Sequence, residues 1–315
     1  MTQHALQQLT ERFSKYDAER LLQEIEKAVL SGDARYIAET VMLGETVYSY
    51  QLQDGTFAFP VIAEGEDDFS VITVLSEGME VSTSTGNITL KAEYLDPGLH
   101  TEISETRYHG DLLSRQPSLS STLARKLTTQ SPLHAWTAHP RLNPDHEPVQ
   151  KRSFDVGRAA HSVVLGRGAP FEAYPPKLLA SNGAASTKAA KEWAEAKRAD
   201  GVTPLKQDDF DAVHAMATTL ETKLAELGVR FDADRSEIVA LTEIDDVMCR
   251  AMLDNAPAEP SAPIYDFKTC ESAAPDACMR AVMNYGYDVQ AAHYLETWAA
   301  VTGEERVLRF VFQEK

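Results

Sequence analysis

The spacing of apolar positions changes several times along the chain. Over residues 5–48 they recur at helical intervals, most clearly in LLQEIEKAVL (21–30), and SGD (31–33) breaks the pattern before ARYIAETVML. This stretch predicts helices. From 46 to 95 the runs TVYSYQL, TFAFPVIA, FSVITVL and NITLKAEYL are short, β-branched and aromatic, and are separated by DG, EGEDD and STSTGN. They predict strands of a small antiparallel unit. DPG (96–98) reads as a turn and a boundary. Residues 1–98 are thus expected to form a small α+β N-terminal module, without a metal-ligand cluster or phosphate loop, and residues 99–315 a second domain.

In that second part, SLSSTLARKL (118–127) predicts a helix with a capping serine, PRLNPDHEP (140–148) a loop, and FDVGRAAHSVVLG (154–166) a helix with a small apolar face. Helices follow over 187–200 and 207–227, the latter starting at Asp208 or Asp209 and ending at Gly228. EIVALTEI (237–244) and VMCRAML (247–253) predict strands joined by a tight Asp-Asp turn, and PIYDFKTC (263–270) a further strand. Residues 276–303 are helical with an interruption near Gly286, and RVLRFVFQE (306–314) is a terminal strand. The order predicts an α/β fold with a mixed sheet flanked by helices.

Composition narrows the function classes. Cys249, Cys270 and Cys278 are an odd, sparse set, which argues against a disulfide framework and fits a reducing, cytoplasmic setting. Three thiols are too few for a four-cysteine iron–sulfur cluster and read as small core residues. No apolar run reaches the roughly 18 residues of a membrane span, and the N-terminus lacks the apolar region of a secretory signal. The net charge of −18 speaks at first against nucleic acid. Its distribution changes that: residues 1–117 and 199–315 each carry a net −12, whereas 118–198 carry +6. A local basic groove on an acidic body, or a solvated Lys/Arg-rich helix face, both fit.

The candidate chemistry lies in Asp266-Phe267-Lys268. Strand alternation puts Asp266 and Lys268 on one side and Phe267 on the other. Alone, such a pair is commonly a surface ion pair. Asp254, however, ends the preceding strand, and an antiparallel return brings it near Asp266. Two adjacent carboxylates repel unless protonated or bridged by a cation, and hard oxygen ligands suit Mg²⁺ or Mn²⁺. A lysine beside that ion can hold a water and offset charge on a phosphate. Gln290 and Tyr294 share one helix face, as phosphate donors or as a buried Tyr with a satisfied Gln. His161 is either a core histidine or a nitrogen ligand. Glu237 is either a solvated strand-edge residue or a further carboxylate near the metal. His109 and His134 read as structural, or as DNA-side in what the resemblance below implies.

These residues also carry a resemblance. Over about 103–315 the chain resembles the RecE-type exonuclease (exonuclease VIII) family, a branch of the PD-(D/E)XK nucleases. The similarity lies in ISETRYHG and SLSSTLARKLTTQSPLHAW, then FDVGRAAHSVVLG, then KEW and GVTPL, and then CRAMLD, YDFKT and YDVQAAHYLE, all in order. The resemblance implies a PD-(D/E)XK restriction-endonuclease-like core acting as a metal-dependent deoxyribonuclease. It would degrade linear double-stranded DNA from its ends, 5′ to 3′, in phage-type recombination. It implies Mg²⁺ or Mn²⁺ held by His161, Asp254, Asp266 and the backbone carbonyl of Phe267, with Lys268 positioning the water and Gln290 and Tyr294 supporting it. It also implies a ring-shaped homo-oligomer and a single-strand annealing partner. Two departures stand out: Met252 replaces a basic residue common two positions before the first aspartate, and the chain stops at QEK where relatives continue with another strand. An endonuclease or repair nuclease of the same superfamily, or a catalytically silent DNA-binding subunit, are the alternatives.

Overall fold

The computed structural model describes residues 3–42, 44–64, 69–146 and 155–315. Part of the EGEDD separator, the end of the 140–148 loop, and Lys151, Arg152 and Phe154 lie outside the described residues. The chain divides into two compact units, Met1–Tyr94 and Leu95–Lys315.

In the first unit, α1 (Gln3–Arg12) and α2 (Ala18–Ser31) precede four strands, β1 (Arg35–Glu39), β2 (Glu45–Gln51), β3 (Phe57–Glu64) and β4 (Phe69–Ser76). Asp17 caps α2 by accepting the Arg20 N–H at 2.8 Å. The helices bury Leu9, Leu21, Leu22 and Ile25 against Ala58, Ile62, Val71 and Val74 of the sheet. The sheet is antiparallel in the order β1-β2-β3-β4, and a hairpin, β5 (Glu80–Thr83) and β6 (Gly86–Thr89), adds Val81 to a second cluster with Phe57 and Phe59. The sequence pattern predicts a helix over 34–43, whereas Arg35–Glu39 is a strand. Five residues are too few for a self-sustaining helix, and the backbone groups of β2 are satisfied by antiparallel pairing with this aromatic and β-branched segment.

The second unit is built on a five-stranded sheet. Its strands are β7 (Gly98–His100), β10 (Ser236–Ile244), β11 (Val247–Asn255), β12 (Ile264–Cys270) and β13 (Leu308–Glu314), in the order β13-β12-β11-β10-β7. The β12–β13 pair is parallel and the others are antiparallel, so the sheet is mixed. A short parallel pair, β8 (Phe171–Ala173) and β9 (Thr203–Leu205), lies apart from it. The helices are α3 (Glu105–His109), α4 (Ser121–Thr129), α5 (Pro132–Ala138), α6 (Asp155–Leu165), α7 (Lys188–Ala199), α8 (Gln207–Glu226), α9 (Pro275–Tyr285) and α10 (Tyr287–Thr302). The β10–β11 turn is tight because Asp245 and Asp246 both adopt left-handed backbone (φ 49° and 63°), which Asp tolerates better than most residues.

Alternation along β12 assigns the two layers. Phe267 is fully buried with Ala160, Val164 and Leu165 of α6 and with Met216, Ala217 and Leu220 of α8. Ile264, three positions before it and so on the other side, joins Ala251 and Leu253 of β11 against Tyr294 and Trp298 of α10. The sheet is therefore flanked by helices on both faces, with Asp266 and Lys268 on the α10 side.

Candidate active site

The site forms where the sheet comes apart. Asn255 pairs with Tyr265 in the antiparallel ladder between β11 and β12. Continuing that register would set Asp254 beside Asp266, but the strands splay there. The Asp254 carboxylate instead takes a ladder position and accepts the Phe267 N–H at 2.7 Å. Asp266 is 1% exposed and forms an ion pair with the Lys268 ammonium through Oδ1. Its other oxygen accepts a hydrogen bond from Gln290 Nε2 at 2.8 Å. The Lys268 Nζ also lies 4.9 Å from the centre of the Tyr287 ring.

Helix α6 brings in the imidazole. Gly157 allows the close approach, because a Cβ there would lie 3.3 Å from Thr269 Oγ1 of β12. One turn on, His161 packs its ring 5.1 Å from that of Phe267. Its Nδ1 is 3.8 Å from Asp254 Oδ2. Arg198 fixes the start of α6 with two hydrogen bonds to Asp155, at 3.1 and 2.7 Å.

The electrostatics are strained. Burial, reinforced by the Asp254 carboxylate, pushes Asp266 up from 3.8 to about 7, and burial also raises Asp254. Burial works against the charge on Lys268, but Asp266 and Asp254 outweigh it and raise its pKa. Burial, with the Lys268 ammonium next, lowers His161 to about 4, so its ring is neutral with a free lone pair. Two carboxylates thus share one ammonium in a poorly solvated place, and Asp266 Oδ1 has no hydrogen-bond donor in good geometry.

The structure draws His161, Asp254, Asp266, Phe267, Lys268 and Gln290 together. Tyr294 sits deeper, buried in the α10 cluster near Tyr108. Gln290 holds Asp266, so in this arrangement it orients a carboxylate. Glu237 starts β10 with left-handed backbone (φ 52°). Burial and the nearby Glu105 and Asp254 carboxylates raise it to about 7. Glu105, which also carries the Arg158 ion pair at 2.7 Å, escapes the sequence reading because nothing in SETRYHG distinguishes it from a first-turn helix Glu. His134 is exposed on α5 and bonded to Ser131, and His109 ends α3. Cys249 is buried, while Cys270 and Cys278 are half-buried.

Among the described residues, no group of three or more His, Cys, Asp and Glu side chains is already drawn together to hold an ion. The donor set nevertheless suits a hard divalent cation. It comprises two carboxylates, a neutral imidazole and the intervening Phe267 carbonyl, with Asp266 Oδ1 paired only to the Lys268 ammonium. A second buried charge centre lies elsewhere in the unit, where Asp111 binds Arg250 at 2.7 Å.

A family described as a PDDEXK-like domain of unknown function (DUF3799) matches residues 121–315, and the chain belongs to this family. A crystal structure from Eubacterium rectale, described provisionally as an exonuclease, is similar at 13% identity and a TM-score of 0.44, over 68% of this chain and 74% of the other. That likeness is too slight to fix fold or activity. No curated protein matches. Among the described residues no helix is long and apolar enough to cross a membrane.

Proposed function

We propose that this PDDEXK-like chain is a divalent-metal-dependent deoxyribonuclease that works as a 5′ to 3′ exonuclease on linear double-stranded DNA. The observation that carries the nuclease reading is the meeting of Asp254, Asp266 and Lys268, with Gln290 bracing Asp266 from α10. In this reading His161, Asp254, Asp266 and the Phe267 carbonyl hold Mg²⁺ or Mn²⁺. When bound, the ion supplies Lewis acidity toward a phosphate oxygen and acidifies water. Lys268, kept charged by its two carboxylate neighbours, orients the attacking water and offsets the charge that builds on the phosphate. Water adds to phosphorus, the bond to the 3′-oxygen breaks, and that oxygen takes up a proton. Gln290 keeps Asp266 aimed throughout.

Polarity, a ring-shaped homo-oligomer, a single-strand annealing partner and a place in recombination rest on the RecE-type resemblance. Digestion of end-labelled linear duplex with Mg²⁺ or Mn²⁺ tests the proposal. Wild type releases label from 5′ ends and EDTA stops it, while a covalently closed circle survives. Lys268→Ala loses about a thousandfold in rate. Wild-type rates in Lys268→Ala would remove the mechanism, and cutting of the closed circle would favour an endonuclease.

A further inference from the structure

We infer that the junction between α9 and α10 is a platform for an unpaired end of a DNA strand, with Tyr285 stacking a base and Arg125 contacting the adjoining phosphate. The inference rests on the nuclease reading of the neighbouring site and names the form of DNA that the site receives.

Tyr285 ends α9 with 63% of its surface exposed. Its ring is not isolated. It lies 5.7 Å from that of Tyr287, at 37° between planes, and Tyr287 packs on Phe310 at 5.5 Å. Tyr287 also carries the Lys268 ammonium over its face at 4.9 Å. Tyr285 is thus the outermost ring of an aromatic row that begins at the candidate catalytic lysine. A large ring left in water at the end of such a row is suited to binding, and any base can stack on it.

Arg125 supplies the charge. Its side chain lies across Gly286, the residue between Tyr285 and Tyr287, so closely that a Cβ at Gly286 would overlap Arg125 Cδ. Gly286 also has left-handed backbone (φ 67°), which favours glycine there. Arg141, Arg158, Arg198, Arg250 and Arg306 all engage carboxylates or carbonyls. Among the described residues no carboxylate or carbonyl receives the Arg125 guanidinium. An Arg lying over the Gly286 backbone, beside an exposed aromatic and with no ion pair among the described residues, fits a phosphate. In a duplex the base faces are already stacked on one another. Tyr285 can therefore take only a base released from pairing, which is what a frayed end or an overhang offers.

Fluorescence anisotropy with a short labelled oligothymidylate, in Ca²⁺ to hold back cleavage, tests this. Tyr285→Ala should weaken binding by about tenfold, the loss of one stacked base, and Tyr285→Phe should restore it. Arg125→Ala should weaken binding and flatten the salt dependence by about 0.7 of a log unit per log unit, and Arg125→Lys should recover the slope. Circular dichroism of each variant reports folding. Wild-type affinity in both alanine variants, or no oligothymidylate binding by the wild type, would overturn the platform. Such a result, with duplex digestion intact, would leave the nuclease reading standing. Loss of affinity in the variants of a chain that digests no DNA would do the reverse. If the α9 face instead docks a protein, Tyr285→Ala leaves DNA affinity unchanged and the platform falls.

Discussion

Two buried aspartate–cation centres lie in the same unit and are built on opposite terms. Asp111 is fully buried, and every partner around it is a donor. Ser118 gives its N–H at 2.9 Å and its hydroxyl, Arg250 bonds at 2.7 Å, and His139 stands at 3.4 Å. Arg141 closes the same loop by bonding the carbonyls of Asp111, Ser114, Arg115 and Gln116. At the other centre, Asp254 and Asp266 compete for one ammonium, and a carboxylate oxygen is left without a well-placed donor. A buried carboxylate met only by donors holds a fold together, although Arg250 Nε finds no acceptor, and Asp111 can keep left-handed backbone (φ 58°) because the network over-determines it. An under-satisfied pair holds binding capacity in reserve, the pattern expected where a cation is to be taken up.

Breaking each centre should separate these roles. The largest effect is expected at the Asp111 centre. Asp111→Ala strands the buried Arg250 and should cost about 3–5 kcal/mol of stability by chemical denaturation. Next, Mn²⁺ at a hundred times its Kd should stabilise the wild type by about 2.7 kcal/mol in thermal melts. Asp254→Asn should lose that gain while keeping the ion-free melting temperature, since the amide oxygen can still accept the Phe267 N–H.

The ion-free protein should also respond to pH. Folded, Asp266 keeps its proton up to about pH 7; unfolded, it releases it near 3.8. The folded state binds the extra proton in between, so stability falls as pH rises through that window. Glu237, raised from 4.5 to about 7, adds to the slope, and Asp266→Asn should flatten but not abolish it in pH-dependent melts. The smallest change is Gln290→Ala, which removes one hydrogen bond to Asp266. It should cost about 1 kcal/mol, read as roughly a fivefold slower digestion with folding unchanged. An equal Mn²⁺ gain in Asp254→Asn would erase the contrast between the centres.

What the sequence makes legible follows distance along the chain. Asp266 and Lys268 share a side by simple alternation, Asp254 is one hairpin away, and Gln290 and Tyr294 are a helical turn apart on α10. Each is a local pattern, so the outline of the site can be read before any fold is known. Asp111 and Arg250 are 139 residues apart and carry no local signature. The three residues of β7 are too few to show a period, and pairing with β10 alone makes them a strand. Likewise Arg35–Glu39 becomes a strand because β2 offers partners. Tyr294 shows a subtler gap: helical spacing places it beside Gln290 but does not reveal that it is buried in the cluster between α10 and the sheet.

Mn²⁺ binding read by electron paramagnetic resonance addresses the central claim most directly. The wild type should take up one tightly bound ion, Asp254→Asn and Asp266→Asn should lose it, and Lys268→Ala should keep it while failing to digest DNA. Equal uptake by the wild type and both aspartate variants would contradict the account.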